Sequence, residues 1–231
     1  MSEEFKFRNF IIRQENCAMK VGTDGVMLGA WANGGSHVLD IGTGTGLIAL
    51  MMAQRFAEAS VEGVEIDEDA ACQASANVLA SPYAERVCVH ASSLQDFHPS
   101  SPFDAIVTNP PFFVNSLVSP SSARTVARHA TTLPFSDIFR FASRWLSLDG
   151  ELSAVLPIDV ADDFSSEAFM CGFFLARKCC VRTVERRMPK RVLLSFTKVR
   201  PLLFDESEVV LMQDGRRSEW YAGLTKDFYV K

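Results

Sequence analysis

The sequence predicts an α/β fold built on a mostly parallel sheet with helices on both faces, and three observations lead there. Val38-Leu39-Asp40-Ile41 breaks into the alternate glycines Gly42, Gly44 and Gly46, then resumes from Leu47 to Arg55 with helical spacing, the pattern of strand, tight turn and helix. Short apolar runs then alternate with longer amphipathic stretches as far as Thr108, the rhythm of strands joined by crossover helices. Finally, 231 residues of 48% hydrophobic composition are enough for one substantial core, in one domain with elaborations.

Taken in order, Phe5-Lys6-Phe7-Arg8-Asn9-Phe10 and the alternation through Ile11, Ile12 and Arg13 read as a short strand that caps the domain or borders a substrate groove. Thr23 or Asp24 is the expected cap of a helix from Gly25 to Ala32, ended by Asn33-Gly34-Gly35. Val61 to Ile66 is the second strand, and Asp67 to Ala80 an alanine-rich helix capped by Asp67 and stopped by Pro82. Val87 to His90 and Phe103 to Thr108 are the third and fourth strands. Phe113 to Leu133, polar and interrupted, reads as an arm that orders on substrate, with Arg124 and Arg128 as phosphate contacts and His129 in a packing or phosphate role. Pro134 opens a helix from Phe135 to Leu146, followed by a strand over Leu152 to Leu156 and a helix over Ala161 to Ala176. Strands over Cys179 to Val184 and Val192 to Val199 flank a basic connection, and a strand near Val209 to Met212 and a helix from Ser218 to Phe228 close the chain.

In such a sheet ligands gather beyond the carboxyl ends of the strands, where the strand order reverses. Gly42, Glu65, Ser93 and Asn109 all fall at such ends. Alternate glycines let main-chain N–H groups approach a ligand that a Cβ would hold off, and Glu65 can accept both hydroxyls of a ribose. A nicotinamide fingerprint would put its third glycine at position 47, which is Leu47. The Asp-x-Gly-x-Gly-x-Gly pattern starting at Asp40 instead resembles class I methyltransferases that use S-adenosylmethionine. The resemblance implies that Asp40 helps to hold the methionine part of the cofactor, Glu65 with Ile66 its ribose, and Lys20, Thr23 and Asp24 lie over its methionine end.

Asn109-Pro110-Pro111-Phe112 follows about 65 residues after the loop. Two prolines stiffen the backbone and remove two donors, leaving the Asn109 side-chain oxygen and the Pro110 carbonyl to accept the two hydrogens of a planar amino group while Phe112 stacks on its ring. This matches the Asn-Pro-Pro-aromatic signature of methyltransferases that modify planar amino nitrogens, with Asn109, Pro110 and Phe112 as the expected catalytic set and Asn109 also among the expected cofactor contacts, with Gly42, Gly44 and Gly46.

Composition narrows the rest. The acidic start Met1-Ser2-Glu3-Glu4 and the lack of a membrane-length apolar run point to the cytoplasm. Six cysteines without Cys-x-x-Cys spacing read as reduced thiols, and no metal site is expected. Net charge is −5, yet from Arg177 to Arg200 nine basic residues face the single acid Glu185, a candidate phosphate-binding face. Arg186, Arg187, Lys190 and Arg191 in its central turn are the expected RNA contacts.

Over nearly its whole length the chain resembles the bacterial tRNA1(Val) adenine-37 N6-methyltransferase family. The residues that carry this are Met19 to Gly25, Leu28 to Ala32, Leu39 to Gly46, Asn109 to Phe112, Arg191 to Leu194, and Ser218 to Tyr229. The resemblance implies a Rossmann-like fold with a seven-stranded sheet whose final strand is antiparallel, with extra N- and C-terminal elements. It also implies S-adenosylmethionine as cofactor, tRNA1(Val) as partner, and no DNA or membrane partner. Residues 1–36 are then a cap and cofactor lid, 37–200 the methyltransferase core, and 201–231 an elaboration of the same domain. Relatives carry an aspartate after the third strand for the cofactor adenine; its place here is Ser93, a weaker neutral acceptor, with Asp96 nearby. Methylation of a protein glutamine amide or of DNA adenine, or a noncatalytic RNA-binding role, are the competing readings of the same residues.

Overall fold

A computed structural model describes residues 3–15, 20–111 and 133–230. Phe112, Arg124, Arg128, His129 and the arm expected over 113–133, apart from Leu133, lie outside the described residues. A two-stranded hairpin, β1 (Glu4–Lys6) and β2 (Ile11–Arg13), precedes helix α1 (Thr23–Trp31). There follow β3 (His37–Ile41), α2 (Leu47–Arg55), β4 (Ser60–Glu65), α3 (Glu68–Leu79), β5 (Val87–Ala91) and β6 (Phe103–Thr108). After the undescribed stretch come α4 (Phe135–Trp145), β7 (Leu146–Pro157), α5 (Ala161–Met170), β8 (Phe174–Val184) and β9 (Arg191–Thr197). The chain ends in β10 (Asp205–Gln213), β11 (Arg216–Arg217) and α6 (Glu219–Leu224).

The main sheet has nine strands in the order β11-β10-β8-β9-β7-β6-β3-β4-β5. β9 lies antiparallel between β7 and β8, the antiparallel strand of the seven expected. β10 and β11 then carry the sheet two strands further, β10 parallel to β8. The order reverses between β3 and β6, so the crevice for a ligand opens at their carboxyl ends.

Each face of the sheet has its own core. One gathers α1, α2 and the chain ends, including Phe7, Phe10, Ile12, Tyr221 and Phe228; the other gathers α4 and α5. Leu47 to Ala53 of α2 are all buried, because α2 is covered by the sheet on one side and by α1 and the terminal segments on the other. Arg55 satisfies the last carbonyls of α1, at Gly29 and Ala32, and Arg86 those of α2, at Ala53 and Phe56, together with Ala59 O in the turn before β4.

α1 departs from the expected start. Gly22 is its cap and no side chain closes it, because Asp24 is held elsewhere, by Arg191 Nε at 2.7 Å. α5 stops at Met170 instead of Ala176, since Gly172 takes φ 82° and closes the helix, which frees Phe174 to begin β8.

Two buried amides position the N-terminal segment. Asn77, 1% exposed, donates to Arg13 O and Thr45 O and accepts from Arg13 N, bolting β2 and the glycine loop to α3. Gln14 Oε1 then accepts from Val21 N at 2.8 Å, fixing the stretch that leads into α1. Asn77→Ala strands three backbone groups and is expected to cost about 2–3 kcal/mol. Thermal melting should show a midpoint lowered by about 4–12 °C; an unchanged midpoint would refute the bolt.

Candidate active site

The glycine loop is built from left-handed backbone: Gly42, Gly44 and Gly46 take φ values of 70°, 54° and 81°. Such angles cost any L side chain, whereas a methyl group added at Gly42 or Gly44 would meet nothing within 4 Å. The glycines are therefore required by conformation, and the open space beside them is left for a ligand. Gly42 N and Thr43 N donate to Val64 O, while Glu65 Oε2 accepts from Gly44 N at 2.9 Å and its Oε1 from Asp67 N at 3.0 Å. One carboxylate at the end of β4 thus fixes both the loop and the start of α3.

These groups border a cavity of about 550 Å³, within the size range of ligand pockets. Lys20, Thr23, Asp24, Gly42, Gly44, Glu65, Ile66 and Asn109 all line it. Asn109 stands at the end of β6 with Pro111 lining beside it and Pro110 buried behind. Thr108 Oγ1 donates to Ile41 O at 3.0 Å and so holds the ends of β6 and β3 together. Two motifs 65 residues apart in sequence meet in one cavity.

Gly46, Asp40 and Ser93 are not in the lining. Gly46 caps α2. Ser93 closes a local turn, donating to Asp96 Oδ2 at 2.6 Å and accepting from Asp96 N; Ser92, Leu94 and Gln95 face the cavity in its place. Asp40 lies under the loop at 0% exposure, its Oδ2 accepting from Thr43 Oγ1 at 2.7 Å and Ala49 N at 3.1 Å. Its Oδ1 is buried with no hydrogen-bond partner among the described residues.

Burial pushes the Asp40 carboxyl up from the ordinary 3.8 to about 7; the bonds from Thr43 and Ala49 act against the rise, and the Glu65 charge adds to it. The folded protein therefore keeps a proton that the unfolded chain releases, and stability falls as pH rises between 3.8 and about 7. Below that window Asp40 has no effect. The loss is on the order of 2–4 kcal/mol, and Asp40→Asn should flatten it. Urea midpoints of the cofactor-free protein at about pH 5 and about pH 8 measure this; an equal fall in the variant would clear Asp40 of the effect.

Of the basic residues singled out in the sequence, Arg186, Arg187 and Lys190 are exposed in the turn between β8 and β9. Arg191 is drawn to Asp24 at the cavity wall. Asn77 and Gln14 were missed by sequence reasoning, their only signal being a polar residue inside an apolar pattern. Among the described residues no group of three or more His, Cys, Asp or Glu is placed to hold a metal ion, and no helix is long and apolar enough to cross a membrane.

The family described as Methyltransferase small domain matches residues 25–157, which include both the loop and Asn109. The tRNA1(Val) (adenine(37)-N6)-methyltransferase of Klebsiella pneumoniae is 40% identical over 231 residues, covering 98% of this chain and 94% of the relative. The chain belongs to this methyltransferase family. The Bacteroides fragilis member is 41% identical over 232 residues and is covered over 98% of its length, as is this chain. Among solved structures, a predicted O-methyltransferase from Agrobacterium tumefaciens superposes with a TM-score of 0.69 over 89% of this chain and 96% of its own, at 16% identity. That likeness is one of fold, a Rossmann-like sheet with helices on both faces.

Proposed function

We propose that this protein transfers a methyl group from S-adenosylmethionine to the exocyclic N6 of adenine 37 in tRNA1(Val). The observation that carries the reading is the meeting of the glycine loop, Glu65 and Asn109 around one cavity, in a chain 40% identical to a tRNA1(Val) (adenine(37)-N6)-methyltransferase. The cavity fits the cofactor chemically. The open left-handed cradle at Gly42 and Gly44 gives backbone approach, Glu65 offers carboxylate acceptors to a ribose, and Asp24, held by Arg191, lines the wall on the side of the methionine end.

When bound, the cofactor supplies an electrophilic methyl group carried on a sulfonium. The protein's own work is alignment. An adenine amino group is planar and weakly nucleophilic because its lone pair enters the ring. Asn109 Oδ1 and the Pro110 carbonyl accept its two hydrogens, hold the nitrogen facing the cavity, and favour the pyramidal form that develops during attack. Phe112 supplies the stacking surface once the base has left its stack. The nitrogen loses its proton after the methyl group has arrived, so Asn109 acts as an acceptor and orienting group.

Residues 1–36 serve in this reading as cap and lid, 37–200 as the core, and 201–231 as an elaboration of the same domain; the shared burial of Phe7, Phe10, Tyr221 and Phe228 against α1 and α2 supports it. A tRNA substrate supports a cytoplasmic place for the reaction. Incubation with labelled cofactor and an unmodified tRNA1(Val) transcript, a DNA copy of its anticodon stem-loop, and a glutamine-containing protein tests the substrate class. Label confined to the tRNA is expected; label on the glutamine amide or the DNA would overturn the reading.

A further inference from the structure

Charge along β8 is sorted by strand register. Lys178 lies opposite Glu206 and its Nζ is 2.8 Å from Glu206 Oε1; Cys180 lies opposite Glu208, which pairs with Arg182. Arg177 reaches Glu151 at 2.5 Å and covers the Trp31 ring. The basic residues within the strand are thus neutralised. Arg186, Arg187 and Lys190 in the β8–β9 turn, and Arg216 at the β10–β11 turn, are exposed and have no ion pair among the described residues.

These two turns are neighbours. β10 runs parallel to β8 and pairs Met212 with Val184, so both strands leave the sheet at its carboxyl edge, the edge on which the cavity opens. The first turn is anchored there. Lys190 N donates to Val181 O and its carbonyl accepts from Ile158 N, just past the end of β7, while Arg191 is tied to Asp24 of the cavity wall. Met188 projects from the tip, 78% exposed, between Arg187 and Pro189. Three residues of chain allow its Cα to lie at most about 11 Å from that of Arg191. The opposite edge of the sheet carries exposed Leu202, Leu203 and Phe204 followed by Asp205 and Glu206, with Arg200 beside them over the Phe174 ring.

We propose that the β8–β9 and β10–β11 turns form one RNA-gripping ridge beside the cavity. Arg186, Arg187, Lys190 and Arg216 hold backbone phosphates next to the target nucleotide, and Met188 packs against a base exposed when the adenine leaves its stack. The inference rests on the tRNA reading above, and adds to it a surface and an apolar wedge.

The test is filter retention of tRNA1(Val) by the full chain at several salt concentrations. Each phosphate contact contributes about 0.7–0.9 to the slope of log affinity against log salt. Arg187→Ala/Arg216→Ala should lower the slope by about 1.4–1.8 and weaken binding about tenfold or more at physiological salt, and Arg186→Ala/Lys190→Ala should do the same. Binding of S-adenosylhomocysteine, measured on the same samples, reports that the fold is intact. Met188→Ala should slow transfer several-fold at saturating tRNA, and Met188→Leu should restore it. Unchanged slope and affinity in both double variants, with wild-type protein still retaining and methylating tRNA, would overturn the ridge and leave the reaction standing. A transfer rate unchanged in Met188→Ala would overturn the wedge. Wild-type protein that retains no tRNA would overturn the ridge and the tRNA reading together.

Discussion

Asn109→Ala is expected to lower the methyl-transfer rate by about 10²–10³-fold while cofactor affinity changes only a few-fold. The separation follows from where Asn109 sits. It lines the cavity at the end of β6, the strand beside β3, while the glycine loop and Glu65 at the end of β4 supply the main cofactor contacts, which survive its loss. What disappears is one of two acceptors that orient the amino nitrogen, and the remaining Pro110 carbonyl cannot define a direction alone. Single-turnover transfer with saturating tRNA, beside calorimetric titration with S-adenosylhomocysteine, separates the two effects. Asn109→Asp keeps an acceptor at the same reach and should retain more activity than alanine. A variant Asn109→Ala that turns over at the wild-type rate would remove Asn109 from the catalytic role.

Glu65→Gln should act on the other half of the site, weakening cofactor binding by about 10–100-fold, the worth of one or two charge-assisted bonds. The carboxylate gives one oxygen to Gly44 N and the other to Asp67 N. An amide can satisfy only one of these donors and turns its own NH₂ against the other. The loop is then unlatched at Gly44, where φ is 54°, and the ribose loses an anionic acceptor. Titration with S-adenosylhomocysteine measures the loss, and an unchanged dissociation constant would contradict the proposed role of Glu65.

Local chemistry was the legible part of this chain. Three alternate glycines announce a left-handed loop because no other residue makes that turn cheaply, and Asp67 reads as a cap and is one, accepting from Ala70 N at 2.9 Å. The Phe103–Thr108 strand is bounded on one side by proline and on the other by Asn109-Pro110, and its ends are found as read. Partners remote in sequence were not legible. Asp24 looks like a helix cap until Arg191, 167 residues later, takes its carboxylate. The basic window looks uniformly positive because the acids that neutralise it, Glu206 and Glu208, lie beyond its end and meet it only through the parallel register of β10. Ser93 is one residue out of phase: the turn back to Asp96 uses its hydroxyl, and Ser92 faces the cavity. The β8 start was obscured because Phe173, Phe174 and Leu175 continue an apolar pattern with the helix before them, although Gly172 carried the stop.

The most direct test of the whole account is nucleoside mapping of tRNA1(Val) after reaction with purified protein and labelled S-adenosylmethionine, beside a transcript in which adenine 37 is replaced by guanine. All label should appear as N6-methyladenosine from the adenine-37 transcript, and none from its guanine counterpart. Label on a ring nitrogen, at another position, or equally in both transcripts would contradict a site built to present an exocyclic amino group to Asn109 and Pro110.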